Sequence, residues 1–283
     1  MRLKTKLGIG AVIIVAGGVA VGLVAHQSAM IQAERAYAQV ATRSDASLQR
    51  FDPQQVADQP EIARRYFNHA IAPGTPLKRN VRLAMRGTFL LGNRDKYQTY
   101  SMTARQVLRP PHEFVWIPKL RSDAFRISGS DALVGGRAWT SFWLMNIVPV
   151  ANVGTSRDMV RSATFRAAME GVWSPASLLP QNRVEWEQVG PDTARVSIRT
   201  VEPEIFLELT LSPEGALREV TGQRWSDANR DKVFRLQPFG GTIEAEATFE
   251  GFTVPSRLKV GNHFGTEDYL PFFQAELTRA EFF

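Results

Sequence analysis

The residues able to carry chemistry are few and scattered along the sequence. His26, His69, His112 and His263 show no pairing at metal-ligand spacing, such as i and i+4 on one helix. Covalent catalysis needs a nucleophile, a base and an orienting group, and there is neither a G-x-S-x-G motif nor a glycine loop that would cradle phosphate before a helix. We therefore predict no catalytic residue, no metal site and no cofactor, and that the protein is not an enzyme.

Two acidic residues lie among apolar or small neighbours. Glu170 follows the apolar residues of a predicted helix, and it is a candidate polar contact for a ligand head group. The competing interpretation is an ion pair with Arg166, four residues earlier on the same helix. Asp131 lies in the glycine-containing stretch SGSDALVGG, where we expect a turn that its side chain caps.

Large apolar side chains form the second group of candidates. If they face one hollow, they make a cavity suited to acyl chains. The alternative is an ordinary core, since aromatic residues dominate the cores of most proteins. The predicted cavity residues are Trp116, Trp139, Trp143, Phe165, Met169, Trp173 and Trp186.

Composition excludes several classes of protein. The 283 residues are 44% hydrophobic, which is ample for a folded core. The net charge is +6, but Arg2, Lys4 and Lys6 precede an apolar segment, which leaves 31 − 28 = +3 for the remainder and predicts no nucleic-acid partner. There is no cysteine, so disulfides, thiolate catalysis and lipid attachment through cysteine are excluded.

Residues 7–25 carry no charge, which is close to the ~20 apolar residues that cross a bilayer as a helix. The basic residues before this segment predict a single-pass anchor in the inner membrane, with the rest of the chain in the periplasm. The alternative is a cleaved signal peptide with its site near Ala36 and Ala38. We assign residues 1–27 to the anchor or an uncleaved signal, and residues 28–57 to a linker or helical extension.

The remainder, residues 58–283, is predicted to be one mainly β (α+β) domain. A helix is expected to begin after an acidic cap at Asp58, and apolar residues then alternate with polar ones in many short stretches. In residues 242–260, two such stretches flank Glu250 and Gly251, with acidic residues on one and basic residues on the other, which predicts a hairpin. Pro255 is expected at a strand start or edge. A helix at residues 155–172 interrupts the strands and is expected to cover the apolar strand at residues 137–147.

Short turns between the strands predict an antiparallel meander of about ten strands, which curls or closes. An N-terminal apolar helix, a long meander, one inserted helix and the late EGFTVPSRLKV hairpin resemble the lipoprotein-carrier superfold of LolA and LolB. That resemblance implies a half-barrel whose helices form a lid. The stretch WSPASLLP at residues 173–180, with the strands that follow it, is similar to a bacterial family of unknown function over about residues 60–283.

The resemblance implies a membrane-anchored extracytoplasmic domain that binds a lipid or another apolar ligand in its concavity, as part of the handling of envelope lipids or lipoproteins. A periplasmic module that binds another protein or acts as a sensor, without a small ligand, is the alternative. The sequence does not determine the oligomeric state.

Overall fold

The computed structural model describes residues 2–43, 49–200 and 204–283, with side chains from residue 17 onward. The helices are α1 (Arg2–Ala41), α2 (Glu61–Ala70) and α3 (Arg157–Met169). A run of three 3-10 turns follows α3, and we call residues 170–182 the 3-10 segment. The strands are β1 (Val81–Gly92), β2 (Tyr97–Arg109), β3 (Glu113–Arg121), β4 (Arg126–Val134), β5 (Arg137–Leu144), β6 (Val148–Val153), β7 (Val184–Gln188), β8 (Thr193–Ile198), β9 (Ile205–Leu211), β10 (Leu217–Ser226), β11 (Arg235–Phe249), β12 (Phe252–Asn262) and β13 (Leu270–Phe282).

All of these strands belong to one antiparallel sheet. Its order is β6-β5-β4-β3-β2-β1-β13-β12-β11-β10-β9-β8-β7, so every neighbour is also a neighbour in sequence except β1 and β13. Their pairing joins two meanders into one sheet. Within the described residues β6 and β7 do not pair, so the sheet is open. The predicted mainly β chain with one large antiparallel sheet is confirmed.

The sheet curves around α3. This helix contacts β3, β4 and β5 on one side and β9 and β10 on the other. In a flat sheet β4 and β10 would be seven strand spacings apart, about 34 Å, whereas a helix with its side chains is only about 10–12 Å wide. One helix can touch both groups of strands only if the sheet bends toward it. The concave face is therefore the face that α3, the 3-10 segment and α2 cover.

The concave face holds the larger of two apolar cores. α2 contributes Ile62, Tyr66 and Phe67, all buried, and its rings pack against Trp186 of β7 at centroid distances of 5.2 and 5.1 Å. α3 begins at Ser156, whose hydroxyl accepts a hydrogen bond from the amide of Met159. This cap satisfies one of the amides left free at a helix start.

The convex face carries the smaller core, and α1 covers it. Ala33 and Val40 of α1 are fully buried against Val107, Val115 and Ala132 of the sheet. The strand at residues 137–147 was expected to be covered by the inserted helix alone. Instead α3 covers its inner face, and α1 contributes to covering its outer face.

The N-terminal helix runs without a break to Ala41. Among the residues whose side chains are described, no helix has an apolar stretch long enough to cross a bilayer. The predicted anchor lies largely in residues 1–16, whose side chains are outside the described part of the chain. Of the predicted linker, residues 28–41 are helical, and residues 44–48 lie outside the described part. Phe51, two per cent exposed, joins the concave core.

The late hairpin forms as predicted, except at its proline. Glu250 and Gly251 both have positive φ, 49° and 90°, which is the geometry of a two-residue hairpin turn. Glu244 pairs with Arg257 at 3.2 Å across the two strands. Pro255 lies inside β12, a central strand, and not at an edge. The register shifts opposite it, between Ala245 and Glu246, and such a bulge is what allows a proline in the middle of a sheet.

Candidate functional site

A cavity of about 220 Å³ lies between the concave face of the sheet and the helical cover. Most of its wall is apolar, and its floor comes from the side chains of eight strands, most of them at the alternating positions that point inward because the strand period is two. The cover contributes the end of α3 and the start of the 3-10 segment. The apolar lining residues are Phe89, Trp116, Phe142, Met169, Val172, Trp173, Val220, Phe239, Ile243, Pro255, Leu258, Val260, Phe272 and Phe273.

Trp116 of β3 lies within the aromatic part of this wall. Its ring centroid is 5.9 Å from that of Phe89, 6.2 Å from that of Phe142 and 6.0 Å from that of Phe273. These are the spacings at which aromatic rings attract each other. The cover is held to the sheet on the other side by Trp173, whose Nε1 donates to the carbonyl oxygen of Pro255 at 3.0 Å.

Arg166 of α3 forms the centre of a polar cluster on the cavity wall. Its Nη1 lies 2.6 Å from Oδ2 of Asp131 on β4, and its Nε lies 2.7 Å from Oε1 of Glu170. Gln106 of β2, which is fully buried, donates from Nε2 to Oε2 of Glu170 at 2.5 Å. Burial alone would lower the pKa of Arg166, but Glu170 and Asp131 outweigh it and raise the pKa above its usual value.

Arg224 of β10 is the second cation in the cavity lining. Its Nε donates to the hydroxyl of Ser162 at 3.1 Å, and its guanidinium lies 4.9 Å from the ring centroid of Phe239. Burial lowers the pKa of Arg224 to about 10, and the nearby Asp131 and Glu170 only partly oppose this. The site thus combines an apolar hollow with two guanidinium groups whose neighbourhoods differ.

A family model described as a family of unknown function, DUF6544, matches residues 49–275. The chain belongs to this family. The match covers the whole curved sheet except residues 276–282 of β13. It includes every residue of the cavity wall. No curated protein gives a significant sequence match.

Two solved structures resemble this protein. A LolA-superfamily protein of Nitrosomonas europaea is 9% identical, with a TM-score of 0.37 over 78% of this chain and 91% of that chain. A Vibrio parahaemolyticus domain described as an outer membrane lipoprotein-sorting protein domain is 10% identical, with a TM-score of 0.39 and the same coverage. The LolA superfamily, named for the first of these structures, is also the one that the sequence resembles. At TM-scores this low, no ligand or activity is transferred to this chain.

Four of the residues proposed from the sequence line the cavity: Trp116, Met169, Trp173 and Glu170. Glu170 also pairs with Arg166, as its second interpretation predicted, and its contact with a ligand head group stays a prediction. Phe165 and Trp186 belong to the concave core but not to the cavity wall. Phe165 packs against Phe239 at 6.2 Å between centroids.

Trp139 and Trp143 require a correction, because they lie on the convex face. Both are at odd positions of β5, and in that strand the even positions, including Phe142, point into the concavity. Trp143 faces His26 of α1 at a ring distance of 6.0 Å, and Trp139 packs on the core beneath α1. A strand with aromatic residues on both faces does not reveal which face is concave.

Asp131 is also placed differently from the prediction. It lies inside β4, and the turn comes later, at Gly135 and Gly136, where φ is 58° and 74°. Its side chain accepts from the hydroxyl of Thr140 at 2.8 Å and pairs with Arg166 instead of capping a turn.

The sequence analysis did not identify Arg224 as a site residue. The alternation of β10 could have indicated it, because Val220 and Arg224 are an even number of residues apart and therefore lie on the same face of the strand.

The histidines lie apart from the cavity. His69 of α2 is 2.8 Å from Glu246 of β11, the other oxygen of which accepts from the amide of Leu217 at 3.1 Å. His263 contacts the carbonyl oxygen of Ala228 at 2.9 Å. Across the described residues, no group of three or more His, Asp or Glu side chains has metal-ligand geometry.

Proposed function

We propose that this protein binds a lipid or another small apolar ligand in the cavity between the curved sheet and α3, without catalysis. The observation that carries the proposal is the cavity itself. A sheet packed flat against its cover leaves no such space, because protein interiors are packed as densely as crystals of organic molecules. A hollow of about 220 Å³ with a mainly aromatic and aliphatic wall is smaller than the ~300–1,000 Å³ of most ligand pockets, and it suits a small apolar group.

The size of the hollow limits the ligand. A volume of 220 Å³ equals that of about seven water molecules at ~30 Å³ each, and a methylene group is slightly smaller than a water. The space therefore fits a single chain of about seven or eight carbons, not several long acyl chains. Burying that chain contributes about 6 kcal/mol at ~0.8 kcal/mol per methylene, before the cost of association is subtracted.

The helical cover acts as the gate in this proposal. Val172 and Trp173 lie in the first turn of the 3-10 segment and line the cavity, whereas α3 spans the opening between the two halves of the sheet. For the cover to open, the contacts between the cover and the sheet must break together. The hydrogen bond from Trp173 to Pro255, at 3.0 Å, is one of the contacts that tie this turn to β12.

Filling the cavity is expected to abolish binding. Val220 of β10 is buried and lines the hollow, so Val220→Trp places an indole where a ligand would lie. We expect saturable binding of 1-octanol by the wild type, followed by intrinsic tryptophan fluorescence, and at least a tenfold loss in the variant. Because the ring occupies empty space, the free energy of unfolding should change by less than the ~1–3 kcal/mol typical of overpacking.

The matched control is Val189→Trp, in the turn between β7 and β8, where Val189 is 40% exposed. It adds the same ring outside the cavity and should leave binding unchanged. Mass spectrometry of organic extracts from the purified full chain provides an independent measurement. Absence of any co-purified lipid, together with no saturable octanol binding, would overturn the proposal and favour the protein-binding module.

We also propose that the domain is anchored to the membrane by residues 7–25, with the turn between β5 and β6 at the bilayer surface. A Cβ added at Gly22 of the apolar segment would collide with the carbonyl oxygen of Ile147 in that turn, so the turn lies against the helix at this depth. Residues 138–156 carry no charge. Val148 and Val150 are 52% and 51% exposed, which is unfavourable in water and suited to lipid.

The register of the sheet supports this orientation. Phe89 pairs with both Phe273 and Tyr100, at the same end of the strands as the turn between β5 and β6. The phenylalanines of the cavity wall therefore lie toward the end of the domain that would face the bilayer. A lipid leaving the membrane would have a short path to the cavity.

The absence of cysteine makes this orientation measurable. We expect a nitroxide on Val150→Cys, in the full chain reconstituted in liposomes, to collide more with oxygen than with a water-soluble nickel chelate. The same label on Val189→Cys, at the opposite end of the strands, should show the reverse. Equal access of the chelate to both labels would place the β5–β6 turn in water and refute this part of the proposal.

A further inference from the structure

The two guanidinium groups of the cavity differ in how well they are paired. Arg166 holds two carboxylates, at 2.6 and 2.7 Å. Arg224 uses its Nε for the hydroxyl of Ser162, and its two Nη atoms make no hydrogen bond to the described part of the chain. A guanidinium has five N–H donors, so Arg224 brings four of them to the cavity lining without a partner.

The charges around Arg224 do not give its Nη atoms a hydrogen-bond partner. Asp131, Glu170 and Asp227 act to raise its pKa, but they do not outweigh burial and the repulsion from Arg166, which itself engages Asp131 and Glu170. The opposite pKa shifts report this difference: the pKa of Arg166 is raised, whereas burial lowers that of Arg224. A partly buried cation with free donors is stabilised by any acceptor that enters the cavity.

A second free donor lies on the same wall. Trp116 is 4% exposed, and its Nε1 has no hydrogen-bond partner among the described residues. A buried indole N–H normally finds an acceptor, and leaving it unpaired is destabilising because the donor has lost its hydrogen bond to water. The other two tryptophans of the concave side, Trp173 and Trp186, donate to backbone carbonyls, so Trp116 is an exception within its own core.

We propose that the ligand is a single-chain amphiphile with an anionic oxygen head group, a carboxylate or a phosphate, held by Arg224 with Trp116 as a second donor. This inference rests on the proposed function and narrows its ligand class. The alkyl chain lies along the phenylalanine wall formed by Phe89, Phe272 and Phe273. Asp131 and Glu170 face the same space and carry two negative charges, of which Arg166 balances one and Arg224 the other, so a head group with a single negative charge fits better than one with two.

The experiment compares three probes of one chain length: octanoate, octyl phosphate and 1-octanol. Each is titrated into the full-length protein at pH 7 and followed by calorimetry. We expect the wild type to bind at least one anion roughly 10- to 100-fold more tightly than the alcohol, which is the range for hydrogen bonds to a charged group. Preference between the carboxylate and the phosphate identifies the head group.

Arg224→Gln is expected to remove this preference, because the two anions should lose far more affinity than octanol does. Arg218→Gln is the matched control: it lies on the same strand, but its side chain is exposed and does not line the cavity. Trp116→Phe keeps a benzene ring in the wall but removes the pyrrole part of the indole together with its N–H, so it should weaken anion binding several-fold more than alcohol binding. A melting curve for each variant separates lost binding from lost folding.

The outcomes separate the two proposals. If octanol and both anions bind the wild type equally, the anionic head group is refuted while apolar binding stands. If Arg224→Gln retains the preference for the anion, the assignment to Arg224 is refuted. If no probe binds, the proposed function itself fails, and the head-group inference fails with it.

Discussion

Replacing Arg166 with methionine is expected to lower the free energy of unfolding by about 3–5 kcal/mol, the range for removing one partner of a buried ion pair. The reason is that Asp131 and Glu170, both largely buried, lose the cation that lies 2.6 and 2.7 Å from them. Gln106 then remains as the only other side chain on Glu170 among the described residues. Urea denaturation followed by circular dichroism measures the change.

Two further variants test whether the loss of stability comes from the unpaired carboxylates Asp131 and Glu170. Arg161→Met removes another arginine of α3, one that lies 4.1 Å from the ring centroid of Trp225, and should cost no more than about 1 kcal/mol. Adding Asp131→Asn and Glu170→Gln to Arg166→Met removes the uncompensated charges and should restore most of the lost stability. An Arg166→Met protein as stable as the wild type would show that the cluster is solvated and not a buried network.

Truncating Trp173 to alanine is expected to destabilise the protein by about 3–5 kcal/mol, the usual cost of removing a large buried aromatic side chain. Trp173 is 3% exposed and joins the 3-10 segment to β12 through its hydrogen bond to Pro255. Trp173→Phe keeps most of the packing and leaves the carbonyl of Pro255 without this donor, so it should cost about 1–3 kcal/mol.

Phe206→Ala is the control for this series, because Phe206 is 52% exposed on β9. Its truncation should change stability by no more than about 0.5 kcal/mol. If Trp173 closes the gate, Trp173→Phe should also speed the release of octanol, measured by stopped-flow fluorescence. A variant with unchanged stability and unchanged release would mean that the 3-10 segment is held by other contacts.

Much of the fold was predictable from the sequence because strand patterns are local. The alternation in residues 242–260 and the acidic and basic residues facing each other specify the hairpin at Glu250 and Gly251. The helix at residues 157–169 followed from its apolar spacing. The predictions for Pro255 and Asp131 were wrong for one reason. The bulge that accommodates Pro255 and the point where the strand of Asp131 ends both depend on the partner strand, and a local sequence pattern does not contain that partner.

The candidate site was predictable only in part. Trp116, Met169, Trp173 and Glu170 line the cavity, but Trp139 and Trp143 face α1, and Arg224 was not recognised. Alternation separates a strand into two faces without saying which one is concave. That decision depends on which way the whole sheet bends and on where α1 and α3 pack.

The sequence by itself thus determined the antiparallel meander and the inserted helix, because each of these depends on periodicity within a few residues. Only the tertiary structure decided that Arg166 and Arg224, 58 positions apart in the chain, line one hollow and have unequal partners. Their proximity arises because β10 and α3 meet across the bend of the sheet, and no local pattern encodes the direction of a bend.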